Sequence, residues 1–566
     1  MSGRPARPVL PPAVGTSRDE GYGRPMKAGT RAAIVATVLY VVSVWFGLVS
    51  ASAVGSLGPH RAVYELTTTG SGVVDLGPLG TIEIDSPLPL RLGARVTVQE
   101  VPDDVTSLDA PVTLEGLSED LDRYVQFFTS PVVFLQDAAT DLARSAARNA
   151  LLAFLVLGAT YLGARALVGE RRRRELKDAV LAHRGSVVGL SLTAALLGAG
   201  LVVASPLGPD LEEPGTRRAS PIFDGTPLEG ARLTGRLAGL VDTYGALVLD
   251  AYRQNEEFYA RAVGSVRERW AEREALAEQW QRLLEMSERL SPLQRVLLAE
   301  PEDLVTVVLV SDLHCNVGMA DVVGAIVELS GAQVVLDAGD TTVNGTAVER
   351  YCVSAFLNAY RAAGAEEVVW AGGNHDSAVT AEQVRAAGGR VLDGEVVTVL
   401  GLEILGDADP LQTRIGQGTS RVGEEGVGEA GARLAEVACA REEPVPILLV
   451  HTPAVGEEAL ARGCAVTQLS GHLHRWSGPQ RHEQGVRLVN GSTAGATSGQ
   501  ATVGPLNGTA TLAVLRVSPE HGIVVDHQKV TVDRSGSAEV GWRMPFPLPA
   551  WMLAPPEPFD APPGAR

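Results

Sequence analysis

At 566 residues the chain is too long for a single hydrophobic core, so two or three domains are expected. A net charge of −19 argues against a nucleic-acid groove as its main surface. The composition is that of a globular chain rich in Ala, Gly, Val and Arg and poor in aromatics, with its apolar residues unevenly spread.

Residues 1–30 are Pro-, Gly- and Arg-rich without periodicity and read as a disordered cytoplasmic tail. Three stretches are apolar enough to span a bilayer, which takes roughly 20 residues. They are Ala32 to Val54, Asn149 to Val168 and Ser186 to Ala204; buried core helices are the alternative for the last two. Arg24, Lys27 and Arg31 precede the first stretch, and the 169–185 loop between the second and third carries Arg171 to Arg174. By the Lys/Arg bias both flanks are cytoplasmic, which puts residues 55–148 and everything beyond 205 outside. "SASAV" at the end of the first stretch resembles a signal-peptidase site, but its apolar region is long for a signal peptide, so an uncleaved anchor is favoured.

Between the first two spans, residues 60–102 hold short alternating runs such as "RAVYELTTTG", "GTIEIDS" and "ARVTVQEV", a small β-rich extracytoplasmic module. The pattern turns helical from about Leu117 to Arg148. After a Pro/Gly-broken stretch, a long helix is expected from about Leu233 to Leu290, with Val263, Val266, Trp270, Trp280 and Leu284 at near three-and-four spacing. An amphipathic helix packed on a neighbour is favoured over a dimerising coiled coil because the apolar seam is irregular.

From 303 to 533, apolar β-branched runs alternate with helical patterns: "DLVTVVLVSD", "AQVVLDAGD", "EEVVWAGGNHD", "VPILLVHT" and "AVTQLSGHLH". Continuously apolar strands imply a sheet covered on its faces, an α/β domain. The later runs "ATLAVLRVS" and "GIVVDHQKVTV" lack long helices between them, and residues 534–566 read as a Pro-rich tail.

Each of these strands ends in side chains that bind metal or move protons: Asp312 and His314, Asp340, then Asn374, His375 and Asp376, then His451, then His472 and His474. The carboxyl ends of sheet strands are where α/β proteins bind ligands. Any one of these pieces alone is more often a solvated turn. Five of the ten histidines in the chain fall at these ends, which argues against accident.

In this order the series resembles the calcineurin-like metallophosphoesterase superfamily, whose pattern is D-x-H, G-D, G-N-H-[DE], H, then G-H-x-H, across about residues 305–475. The resemblance implies a four-layer α/β/β/α sandwich, here preceded by three transmembrane helices, the β-rich module and the long amphipathic helix. More loosely, the layout looks like membrane-anchored bacterial members, which implies a multi-pass plasma-membrane protein with its catalytic domain extracytoplasmic. It also implies two divalent cations, one on Asp312, His314 and His474, the other on Asn374, His451 and His472, with Asp340 bridging. His375 would protonate the leaving oxygen, and Asp376 would orient it. Two cations about 3.5–4 Å apart neutralise the phosphate charge and activate water for in-line attack. Mixed His, Asn and carboxylate ligands suit Mn, Fe or Zn better than Ca or Mg, and Mn is favoured.

The expected partners are a phosphate mono- or diester substrate and a lipid bilayer, with no nucleic acid. A lipid-linked pyrophosphate hydrolase and a non-catalytic metal-binding scaffold are the alternatives. "GDTTVNG" and "GNHD" depart from the protein phosphatases of the family, which carry D-R-G and Glu there. "VNGSTAG" at 489–495 resembles the family's N-P-G-S segment without its Pro, or is a plain turn. Cys315 is either a buried small side chain or part of a disulfide set with three possible connectivities, of which Cys315–Cys352 with Cys439–Cys464 is favoured.

Overall fold

The computed structural model describes residues 28–57, 60–77, 80–86, 89–99, 131–169, 172, 218–219, 230–234, 237–285, 304–414, 417–497 and 504–553. Residues 1–27 of the expected amino-terminal tail, almost all of the basic loop and the third apolar stretch, Ser186 to Ala204, lie outside them, while the tail's last three residues, 28–30, begin a helix. Two compact units result: Met1–Ser50 with Ala146–Gly208, and Ala51–Ser145 with Pro209–Arg566.

In the first unit, helix Ala28–Val49 meets the second half of helix Pro131–Leu167. Both are long and apolar enough to cross a membrane, and almost none of their apolar surface is covered. Val38 and Phe46 on the first and Leu155 and Leu162 on the second are exposed. The helices approach through small residues: a Cβ on Gly47 would lie 2.4 Å from the Ala146 carbonyl oxygen. Asn149 donates to the Ser50 carbonyl at 3.0 Å, capping that approach with a polar contact.

The second unit opens with the expected β-rich module. Its sheet runs Ser52–Leu57, His60–Thr67, Gly93–Val98, Ser71–Asp75, Thr81–Asp85, Arg232–Leu233 and Arg218–Ala219 in spatial order. The last two strands come from far along the chain, so the module is larger than the 60–102 run suggested.

Two further sheets form the heart of this unit. In the first, parallel strands Arg390–Val391, Glu367–Trp370, Val334–Asp337 and Val305–Val310 are followed by antiparallel Ala510–Ser518, Ile523–Val532 and Ala538–Val540. In the second, Leu402–Gly406, Val445–Leu449, Ala465–Ser470 and Gly485–Val489 are parallel, with antiparallel edges Val397–Val399 and Ser477–His482.

Strand periodicity of two then sorts the core. Val307 and Leu309 face the second sheet, where they meet Ile447, Leu449 and Leu469. Val308 and Val310 face the other way, into Ile326, Phe356 and Leu357 of helices Met319–Ser330 and Arg350–Ala362. On the far side, Leu405 and Leu448 pack with Leu434 of helix Val427–Cys439. The layers are therefore helix, sheet, sheet, helix.

The long helix spans Leu237–Glu285 and belongs to this core. Phe258, Tyr259, Ala262, Val266 and Trp270 are buried on one face, while Trp280 is 62% exposed. The face is pinned by Arg273 Nε donating to the Val540 carbonyl at 2.9 Å and Ala538 N donating to Ser265 Oγ at 2.8 Å. The expected Pro-rich tail is accordingly corrected at its start: Ala538–Val540 and Met544–Pro545 are strands of the first sheet. Both favoured disulfides are formed, Cys315–Cys352 and Cys439–Cys464.

Candidate metal centre

The parallel strands of both sheets end on one side of the sandwich, and all nine sequence-chosen site residues lie just beyond those ends. Asp312 and His314 follow Val305–Val310, Asp340 follows Val334–Asp337, and Asn374 to Asp376 follow Glu367–Trp370. His451 follows Val445–Leu449, and His472 and His474 follow Ala465–Ser470.

Asp312, His314, Asp340 and His474 bring ligand atoms within 4.8 Å of one another, as do Asp340, His451 and His472. Asp340 is common to both groups. His314 Nε2 lies 3.2 Å from His474 Nε2, and His474 Nε2 lies 3.3 Å from Asp312 Oδ1. In the other group, Asn374 Oδ1 is 3.0 Å from His451 Nε2 and 2.9 Å from His472 Nδ1.

The backbone here is unusual. Asp312, His314, Cys315, Asp340, His472 and His474 all have positive φ, between 43° and 71°. Non-glycine residues rarely adopt that region, and where they cluster the surroundings must hold them there. Two glycines allow the crowding: a Cβ on Gly373 would lie 2.2 Å from Asp340 Oδ1, and one on Gly471 would lie 2.7 Å from Asp312 Oδ2. The glycines of "GGNHD" and "SGHLH" are thus explained by close approach.

Charge and burial work against each other throughout. Burial alone would raise the Asp340 carboxyl, but His451, His314 and His375 around it together hold the group well below the usual carboxylate range. Burial pushes the His314 imidazole down to about 4, favouring the neutral ring whose nitrogen can donate a lone pair. Burial likewise pushes the Asp376 carboxyl up to about 6, against the pull of its N–H partners.

The donor chemistry fits cations. His451 Nδ1 faces the Ala338 carbonyl at 2.7 Å, which fixes a proton on that nitrogen. Its Nε2 nevertheless faces two further oxygens, Asp340 Oδ2 at 3.2 Å and Asn374 Oδ1 at 3.0 Å. Carboxylate, amide and imidazole groups converging this closely in a buried place suit a positive ion between them.

The expected pairing of Asp376 with His375 is corrected by the geometry. Asp376 accepts from the backbone N–H groups of Asp340, Thr342 and Gly373 at 2.8–2.9 Å and from the Thr342 hydroxyl at 2.7 Å. Both of its oxygens are thereby spent on shaping two loops. His375 Nδ1 instead faces the Val343 carbonyl at 2.7 Å. Glu349 holds that peptide in turn, accepting from Val343 N at 2.8 Å and Asn344 N at 2.9 Å.

Residues 305–475 match the family model described as calcineurin-like phosphoesterase. This segment is a calcineurin-like phosphoesterase domain. Among curated proteins, none matches the chain. Among solved structures, an archaeal phosphodiesterase is 12% identical with a TM-score of 0.25, covering 40% of this chain and all of that one. A 5'-nucleotidase precursor from Thermus thermophilus is 17% identical at a TM-score of 0.27, over 42% of this chain and 55% of its own. An NAD nucleotidase from Haemophilus influenzae is 14% identical at 0.26, over 44% of this chain and half of its own.

The phosphoesterase domain also uses residues beyond these nine, among them the segment that resembles N-P-G-S or reads as a plain turn. Segment 489–495 is a buttress: Ser492 Oγ donates to the Asp312 carbonyl at 2.8 Å, and Thr493 N donates to Ser311 O at 2.8 Å. Its position at the end of the second strand after "GHLH" was the available signal. Tyr259 of the long helix lies 2.8 Å from Asn316 Oδ1, two residues beyond His314.

Proposed function

We propose that the chain is a membrane-anchored phosphoesterase that hydrolyses phosphate mono- or diesters with two divalent cations, its site facing outside the cytoplasm of a bacterial cell. The observation that carries the reading is the shared placement of Asp340 between two ligand groups. When bound, the cations supply charge neutralisation and an activated water for in-line attack.

Asp312, His314 and His474 would hold one cation, and Asn374, His451 and His472 the other, with Asp340 common to both. The mixed nitrogen and oxygen set favours Mn, Fe or Zn, with Mn the first choice. His375 is the general acid. Its Nδ1 is committed to the Val343 carbonyl, which leaves Nε2 as the nitrogen that can pass a proton to the leaving oxygen. Asp376 acts on the turn that carries His375 rather than on the ring itself.

Two apolar helices support a bilayer anchor, and the basic residues flanking them support an amino-terminal cytoplasmic side. Two disulfides support an oxidising compartment for the phosphoesterase domain.

The test uses the full chain in detergent, stripped with EDTA and reloaded with Mn²⁺, on p-nitrophenyl phosphate and bis-p-nitrophenyl phosphate. Uptake of two Mn²⁺ per chain with hydrolysis of at least one ester is expected. Failure to take up Mn²⁺, or uptake without hydrolysis of either, would overturn the reading. A reporter fused after Arg566 should behave as extracytoplasmic and one inserted near Arg174 as cytoplasmic; the reverse pattern would overturn the orientation.

A further inference from the structure

The turn that carries Asn374 and His375 is polarised. Its N–H groups point inward: Gly373 N donates to Asp376 Oδ2 at 2.9 Å, and His375 N donates to Asp340 Oδ1 at 2.8 Å. Its carbonyls consequently point outward, and three successive ones need partners. A hairpin outside the two main sheets, Leu411–Arg414 paired with Gly418–Arg421, supplies them.

One half-buried guanidinium meets all three. Arg414 Nη1 donates to Asn374 O at 3.1 Å and to His375 O at 3.2 Å, while Nη2 donates to Asp376 O at 2.7 Å. The neighbouring backbone adds Thr413 N donating to Asn374 O at 2.7 Å. On the same strand, Thr413 Oγ1 accepts from Asn374 Nδ2 at 2.8 Å and can donate to Thr419 Oγ1 at 2.9 Å. That bond decides which end of the Asn374 amide faces the histidines, since the NH₂ is spent on Thr413 and Oδ1 is left for His451 and His472.

We propose that Thr413 and Arg414 are positioning residues, with separable jobs. Thr413 keeps Asn374 Oδ1 aimed at the metal centre, so it acts on one cation. Arg414 keeps the three peptides oriented so that the His375 N–H stays on Asp340, and thereby places the acid relative to the centre. An Arg fits because its planar fork reaches several carbonyls at once, which a Lys ammonium on the same stem does not. The inference rests on the two-cation reading for its consequences and on hydrogen-bond geometry alone for its structural claim.

The test compares Thr413→Val, Arg414→Lys and Arg414→Met in the full chain. Partners that orient ligands are commonly worth roughly 10–100-fold in metal affinity or activity. Thr413→Val should weaken one of the two Mn²⁺ sites by about that factor in titrations of EDTA-stripped protein, and excess Mn²⁺ should restore kcat. Arg414→Lys and Arg414→Met should bind both Mn²⁺ ions, lose a similar factor in kcat with KM little changed, and gain nothing from excess Mn²⁺.

A readout that needs no metal keeps the two ideas apart. In stripped protein, exchange of the amides at 373–376 should quicken by roughly tenfold in Arg414→Met, as expected for loss of a hydrogen bond or more. Wild-type exchange in Arg414→Met, wild-type kcat in Arg414→Lys, or undiminished Mn²⁺ binding in Thr413→Val would each overturn the proposal. Wild-type protein that takes up no Mn²⁺ sinks the two-cation reading instead, and the exchange result still decides whether Arg414 holds the turn.

Discussion

Asp312, His314 and His474 meet in one half of the centre with φ of 54°, 43° and 51°, whereas Asn374 and His451 in the other half have no positive φ. The second group is held by side-chain hydrogen bonds instead, Asn374 on Thr413 and His451 on the Ala338 carbonyl. Only His472 in that half shares the left-handed backbone, at 71°. A residue forced into that region costs on the order of 1–3 kcal/mol and persists only where its surroundings over-determine it. The first half meets that need. His314 N donates to Asp340 O and Cys315 N to Thr341 O, both at 2.9 Å, and Cys315 is bonded to Cys352 on helix Arg350–Ala362. One half is therefore kept by covalent and backbone constraint, and the other by bonds that single substitutions can remove.

Four experiments break or sharpen this contrast. Asp340→Asn should erase it, because the same carboxylate serves both halves. The expected loss of turnover exceeds the roughly 10²–10⁴-fold scale of a positioned acid, with bound Mn²⁺ falling at both sites. Metal analysis beside a melting curve checks this, and full occupancy with normal turnover would falsify the two-cation arrangement.

His375→Ala should leave both halves loaded and slow turnover by roughly 10²–10⁴-fold. The deficit should shrink on nitrophenolate esters, whose leaving groups need little protonation. Equal losses on good and poor leaving groups would mean that His375 has another role.

Removing the staple with Cys315→Ala and Cys352→Ala together should cost about 2–4 kcal/mol in urea unfolding. It should also weaken Mn²⁺ in the constrained half only. The control pair, Cys439→Ala with Cys464→Ala, should lower stability without touching metal affinity. Identical metal behaviour in the two pairs would remove the proposed link between the staple and the strained backbone.

The smallest effect belongs to Tyr259→Phe. Losing the hydroxyl beside Asn316 should cost about 1 kcal/mol and change Mn²⁺ binding little. A loss of metal as large as that of the Cys315 pair would show that the long helix, rather than the disulfide, constrains the loop.

The contrast also marks what the sequence could say. Ligand-type residues at the ends of apolar strands were legible because the strands are continuously apolar and the ligands follow at once, as in "VVLVSDLH". The long helix was legible as amphipathic, and its face Val266 and Trp270 is buried, but nothing in its spacing named the sheet it covers. Asp376 was misread because adjacency in a chain carries no direction: its side chain turns into the loop while His375 turns toward Val343. The hairpin Leu411–Arg414 with Gly418–Arg421 stayed invisible because "LQTR" and "GTSR" have neither apolar alternation nor buried residues. Ala538–Val540 was hidden by shortness, since three residues hold no period to detect.

The docking of helix Leu237–Glu285 sets a constraint in time as well as in space. Beyond Asn316, which is 57 residues after Tyr259, its anchors lie 245 to 273 residues downstream, at Gly504, Ala538 and Val540. A ribosome therefore releases the helix long before it makes the strands that cover Phe258, Val266 and Trp270. Until Val540 emerges, that apolar face is only partly seated, against helix Met319–Ser330, and closing so wide a loop in the chain is a slow step. The nascent enzyme must keep part of a greasy helix from the wrong company until strand Ala538–Val540 arrives.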